Sequence, residues 1–136
     1  MEVKKTESTT IEEKGIRSLN GYFETRPDTH PNVIFQIFQG FLNAIPNMDT
    51  LHGIYGYEQY KYTDTTLQIK EPSTITEGAY LAKLKDEDQI FLITNNKRYL
   101  IQNMSVINQY QFHGSVKNVP IRILSNLENG PEITTW

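Results

Sequence analysis

Residues 34–48 and 90–104 lie on each other without a gap. Six of the fifteen positions are identical: Ile34/Ile90, Phe35/Phe91, Ile37/Ile93, Ile45/Ile101, Asn47/Asn103 and Met48/Met104. Chance gives about one identity over such a window, and self-similarity at a fixed spacing outweighs local propensity. The offset is 56 residues and extends to Leu51/Ile107. Whatever the second segment folds into, the first must resemble.

The second segment is the plainer one. Gln89-Ile90-Phe91-Leu92-Ile93-Thr94 reads as a strand, Asn95-Asn96 as a two-residue turn that accepts positive φ, and Lys97-Arg98-Tyr99-Leu100-Ile101 as the returning strand. The first segment viewed alone suggests a helix, because Ile34, Ile37, Phe38, Phe41 and Ile45 recur at helical spacing. The repeat overrides this and places Gln39-Gly40 on the turn Asn95-Asn96. Gly40 would cost a helix about 1 kcal/mol but suits a turn. We therefore expect a hairpin over 33–38 and 41–45.

After each hairpin comes an Asn followed by a Met. Asn is a good N-cap, since its side-chain oxygen accepts an orphan N–H of the first helical turn. Short helices are predicted over 48–54 and 104–111, the second with Met104, Ile107 and Tyr110 on one face. The segment from Asn118 to Pro131 reads as a further helix, with Pro120 in its first turn and Gly130-Pro131 at its end. Aromatic lead-ins, Gly21-Tyr22-Phe23 and Gly78-Ala79-Tyr80-Leu81, precede the hairpins, and Glu71-Pro72-Ser73-Thr74 marks a boundary. The organisation expected is a polar, flexible tail over 1–17, one unit over 18–74 and another over 75–136. A unit of roughly 55 residues is marginal alone. The fold class expected is thus α+β and β-rich: two tandem hairpin-plus-short-helix repeats packed pseudo-symmetrically on one core.

The second unit, from Glu77-Gly78-Ala79-Tyr80-Leu81 through the hairpin, Asn103-Met104, Asn108-Gln109-Tyr110-Gln111-Phe112, Asn118-Val119-Pro120 and Leu124 to Asn129-Gly130-Pro131, has a recognisable shape. It resembles a short non-catalytic tandem repeat of bacterial surface proteins and of the tails of phage and bacterial cell-wall hydrolases. Residues 77–133 carry the resemblance and 21–76 follow it more loosely. The turn is Asn95-Asn96 where the repeat has Asn-Gly, and Gln102 stands where it has Pro, whereas Pro46 keeps it. The resemblance implies an accessory, non-enzymatic module.

Composition narrows the function classes. The chain of 136 residues has net charge −3, 38% hydrophobic and 21% charged residues, and no Cys. It is globular, and it lacks the clustered Lys and Arg that phosphate neutralisation requires, so nucleic acid is not an expected partner. The absence of Cys removes disulfides, thiolate metal sites and a Cys nucleophile. No apolar run reaches membrane-spanning length, and the N-terminus has no secretory-type apolar stretch.

Little catalytic chemistry is visible. His30, His52 and His113 share no metal-ligand spacing, and Asp28-Thr29-His30-Pro31 reads as a loop. Asp86-Glu87-Asp88 lacks the alternation and Gly of a calcium loop and reads as a solvated turn. Glu24, Asp28, Glu58 and Asp64 are the carboxylates from which a glycoside hydrolase pair would be drawn, but none sits in a motif. No catalytic residue, metal or cofactor is assigned.

The most informative stretch is Tyr55-Gly56-Tyr57-Glu58-Gln59-Tyr60-Lys61-Tyr62. Its four rings, interleaved with polar residues, suit a surface that stacks on sugars or a partner protein. Tyr55, Tyr57, Tyr60 and Tyr62 are the first candidate ligand-binding residues, and Arg98 and Tyr99 form a second patch. The reading favoured is a binding or structural module of a virion or bacterial surface, engaging cell-wall glycan or another protein. A small cytoplasmic phage regulator that blocks a host protein is the alternative, and a minimal glycan hydrolase a third.

Overall fold

The computed structural model describes residues 17–57 and 59–134. The expected tail therefore lies, apart from Arg17, outside the described residues. The chain is α+β and strand-rich, with a three-stranded and a five-stranded sheet.

The first sheet holds β1 (Phe23–Arg26), β2 (His30–Phe38) and β3 (Phe41–Ile45) in the order β1-β2-β3, followed by helix α1 (Met48–Tyr55). Residues 33–45 form the hairpin that the repeat predicted. Gln39 and Gly40 take φ of 50° and 84°, which lets a two-residue turn match the twist of its strands. The second sheet holds β4 (Tyr80–Leu84), β5 (Phe91–Thr94) and β6 (Lys97–Leu100), then helix α2 (Met104–Gln109), β7 (Val116–Val119), helix α3 (Ile121–Ser125) and β8 (Glu128–Asn129). Its strand order is β7-β4-β5-β6-β8, with both outer pairings parallel.

The two sheets share more than a hairpin. Ile34 pairs with Ile45 and Ile37 with Leu42; 56 residues on, Ile90 falls just before β5, Phe91 pairs with Leu100 and Ile93 with Arg98, which is the same register. Asn95 and Asn96 repeat the turn with φ of 54° and 58°. Phe23 faces Gln36 as Leu81 faces Leu92. The parallel outer strands also recur, reduced in the first sheet to single bridges: Phe23 meets Tyr62 where Leu81 meets Val116, and Leu42 meets Ile69 where Arg98 meets Asn129. Each hairpin then leads into a helix capped by an extended Asn. Asn47 Oδ1 accepts from the Thr50 N–H at 2.8 Å and Asn103 Oδ1 from the Val106 N–H at 3.1 Å.

Strand alternation decides what each residue buries. Phe23, Phe38, Ile45, Leu51, Ile54 and Tyr55 meet Leu81, Leu92, Tyr99, Val106, Tyr110 and Phe112 in one core that draws on both sheets and both capped helices. The opposite faces carry smaller clusters. Phe35 and Ile37 lie with Leu42 behind the first sheet; Ile93 lies with Leu124 of α3, and Phe91 packs beside them, behind the second.

Gln36 is one of several buried polar residues, fully buried where the second sheet has Leu92. Its Nε2 donates to the Tyr110 carbonyl at 2.8 Å, and its Oε1 accepts from the Tyr55 hydroxyl at 2.5 Å. One side chain thus ties β2, α1 and the end of α2.

The segment expected to be helical from Asn118 to Pro131 is helical only over α3. Val119 is taken by the parallel ladder to β4 and Glu128–Asn129 by the ladder to β6, so tertiary pairing overrides the local helix signals at both ends. No helix among the described residues is long and apolar enough to cross a membrane.

Candidate functional site

The Tyr-rich stretch divides between core and surface instead of forming one stacking face. Tyr55 ends α1 with its ring fully buried, edge-on to Phe23 and stacked on Phe112, so it packs and cannot meet a ligand. Burial raises its phenol pKa well above the ordinary range, and the neighbouring Tyr110 adds to this. Tyr60 stacks on Phe23 with ring centres 5.0 Å apart, and its hydroxyl donates to the Gly56 carbonyl. Burial raises its pKa as well, with smaller contributions from Tyr62 and Tyr57. Tyr62 packs tilted against Phe23, with ring centres 5.9 Å apart, and stays half exposed. Tyr57 is the most exposed of the four, at 82%, and stacks on His52 of α1 at 4.1 Å between ring centres.

Arg98 and Tyr99 alternate along β6 and so face opposite sides of the sheet. Tyr99 is in the shared core beneath Gly130, where a Cβ would fall 2.4 Å from its ring. The Arg98 guanidinium donates to the Leu124 carbonyl and to Asn129 Oδ1, both at 2.7 Å, and holds α3 and β8 against the sheet. They form no joint patch. The remaining carboxylates are dispersed: Glu24 is buried in an ion pair with Arg26 at 2.8 Å and accepts from the Thr65 hydroxyl at 2.6 Å, while Asp28 and Asp64 are exposed and Glu58 lies outside the described residues. Among the described residues, no group of three His, Asp or Glu side chains is placed to hold a metal ion.

What the structure assembles instead is an open cleft of about 520 Å³ between α1 and the second sheet. Helix α1 supplies Asp49, His52 and Gly53, which share one face because they are three and four residues apart. Tyr57 stands at the rim just beyond the helix. Glu77 comes from the lead-in to β4, Tyr80 from the first position of β4 and Lys117 from β7. The walls are held by bonds between elements: Asn47 Nδ2 donates to Glu77 Oε1 at 3.0 Å, the Gly78 N–H donates to the Thr50 hydroxyl at 3.1 Å, and the Gly114 N–H donates to the Ile54 carbonyl at 2.9 Å. The Lys117 ammonium sits 4.8 Å from the centre of the Tyr80 ring.

Chemically the cleft combines an exposed aromatic face, a second ring capped by a cation, two carboxylates and an imidazole. Such a set accepts hydrogen bonds from a ligand rich in O–H or N–H donors while a ring covers its apolar face. Of the six residues expected to bind, only Tyr57 lies here. Asp49, His52, Glu77, Tyr80 and Lys117 escape a reading by motif because they come from a helix, a turn and two strands. The available signal was Gly53, a residue that weakens a helix, inside a predicted helix. No family model, no curated protein and no solved structure matches this chain.

Proposed function

We propose that this chain is a non-catalytic binding module made of two tandem copies of one unit, over 18–74 and 75–136, and that it engages a glycan through the cleft at their junction. The observation that carries this reading is Tyr57: a large ring 82% exposed, fixed by its stack on His52, at the rim of a cleft walled by Asp49, Glu77 and Lys117. An exposed ring already held in one orientation loses little entropy on stacking against a sugar. The carboxylates give hydroxyl donors acceptors of the stronger, charged kind. The setting that fits is a bacterial surface or a phage particle, where the resemblance implies an accessory module, and cell-wall glycan is the ligand class that suits the cleft.

Co-sedimentation with purified peptidoglycan tests this. The wild-type chain is expected to be retained and a Tyr57→Ala/Tyr80→Ala variant to lose at least about tenfold in affinity, the equivalent of about 1.4 kcal/mol. Equal retention of the two proteins contradicts the proposal.

A protein partner is the second reading. It is favoured by Ile121 on α3, which is 70% exposed beside Ile123 at 38%. An Ile121→Ser change would weaken such a complex and leave glycan retention unaltered.

A further inference from the structure

The junction that forms the cleft occurs twice, once open and once plugged. In each half, the chain entering the first strand makes a turn closed by an i to i+3 bond, with a positive-φ Gly third: Leu19–Tyr22 with Gly21 at 96°, and Thr76–Ala79 with Gly78 at 82°. Each turn faces the capped helix of the other half. At the first turn, the side chain of Gln109, the last residue of α2, fills the junction, and its Nε2 donates to the carbonyls of Arg17 at 2.9 Å and Asn20 at 3.2 Å. The residue 56 positions earlier, on α1, is Gly53. A Cβ built on Gly53 would meet nothing nearer than the Ala79 carbonyl at 3.8 Å, so the space for a side chain exists and is empty. Glu77, which matches Asn20 in the turn, lines that space.

Gly inside a helix is unfavourable relative to almost any other residue. Here no close packing demands it at its own Cβ. We infer that Gly53 keeps the cleft open for a ligand whose amide group takes the place that the Gln109 carboxamide occupies at the other junction, and that the ligand is therefore an acetamido-bearing saccharide. This rests on the glycan reading above and narrows it. The acetamido N–H reproduces the carboxamide donor towards the turn, and the sugar ring lies against Tyr57.

The test compares soluble oligomers of N-acetylglucosamine with glucose oligomers of the same linkage and length, measured by calorimetry on wild-type, Gly53→Ala and Gly53→Gln chains, with circular dichroism as the check on folding. The wild-type chain is expected to bind the N-acetylated oligomer at least about tenfold more tightly than the glucose oligomer, the discrimination that one amide hydrogen bond of about 1.4 kcal/mol supports. Gly53→Ala should melt at a higher temperature, since Ala suits a helix better than Gly. Gly53→Gln should fold and lose binding by at least about tenfold, because the new side chain plugs the cleft. Equal affinity for both oligomers overturns the amide assignment while leaving a glycan site standing. Unchanged binding by Gly53→Gln, or its failure to fold, overturns the role given to Gly53. Absence of binding to either oligomer by the wild-type chain overturns the inference together with the glycan reading.

Discussion

Replacing Gln36 with Leu tests how the two halves are joined. The change is sterically mild, since Leu92 holds the matching ladder position in the second sheet. Its cost lies in what it leaves behind. The Tyr55 hydroxyl loses the acceptor at 2.5 Å and the Tyr110 carbonyl the donor at 2.8 Å, both inside the core; the Gly21 carbonyl keeps a bond from Gln111 Nε2 at 2.8 Å. A buried polar group left unpaired costs about 1–3 kcal/mol, so two cost about 2–6 kcal/mol, partly offset by the apolar burial that Leu gains. Tyr55→Phe alone orphans Gln36 Oε1, at about 1–3 kcal/mol. In the double variant both the hydroxyl and Oε1 are gone, and only the Tyr110 carbonyl stays unpaired. The Leu burial gain and the Tyr110 term then cancel from the cycle. The double variant should be less destabilised than the sum of the singles by about 2–6 kcal/mol, read from urea unfolding midpoints and slopes. Additivity within about 0.5 kcal/mol refutes the network.

Further outcomes follow from the caps and the buried phenols. Asn47→Ala and Asn103→Ala should each lower stability by about 1 kcal/mol, and the Gly replacements by only a few tenths, as measured by thermal melting. Burial pushes the Tyr110 phenol up to about 12, with the Gln39 N–H opposing the rise, and pushes Tyr55 in the same direction. Above the ordinary phenol value near 10 the unfolded chain therefore releases protons that the folded chain keeps. This contribution to stability is intact below about pH 10 and is lost as pH rises towards 12, by about 3 kcal/mol from Tyr110. Phenolate absorbance followed alongside circular dichroism checks this: part of the tyrosine titration should appear only as the chain unfolds.

The reach of the sequence follows from which contacts are local. The β2–β3 hairpin was legible although its apolar spacing fits a helix, because a similar segment 56 residues on, with plainer turn residues, disclosed it. Phe41, a member of the helical stripe, is 43% exposed in the strand that forms. The Asn caps were legible because a cap bonds within three residues. The outer strands were not. Tyr62, Ile69, Val116 and Asn129 join their sheets through parallel pairings with distant chain, and no short-range pattern records them. Ring burial was equally hidden: four Tyr in eight residues look alike in sequence, and the end of α1 sends Tyr55 inward and Tyr57 outward. The cleft draws on a helix, a turn and two strands, so its parts meet only in the fold.

The proposed glycan binding at the cleft is tested most directly by amide chemical-shift mapping of the labelled chain titrated with soluble peptidoglycan fragments. Saturable shifts concentrated on Asp49, His52, Gly53, Tyr57, Glu77, Tyr80 and Lys117, with α3 and β8 silent, are the predicted result. Shifts confined to α3, or none at saturating fragment, contradict it.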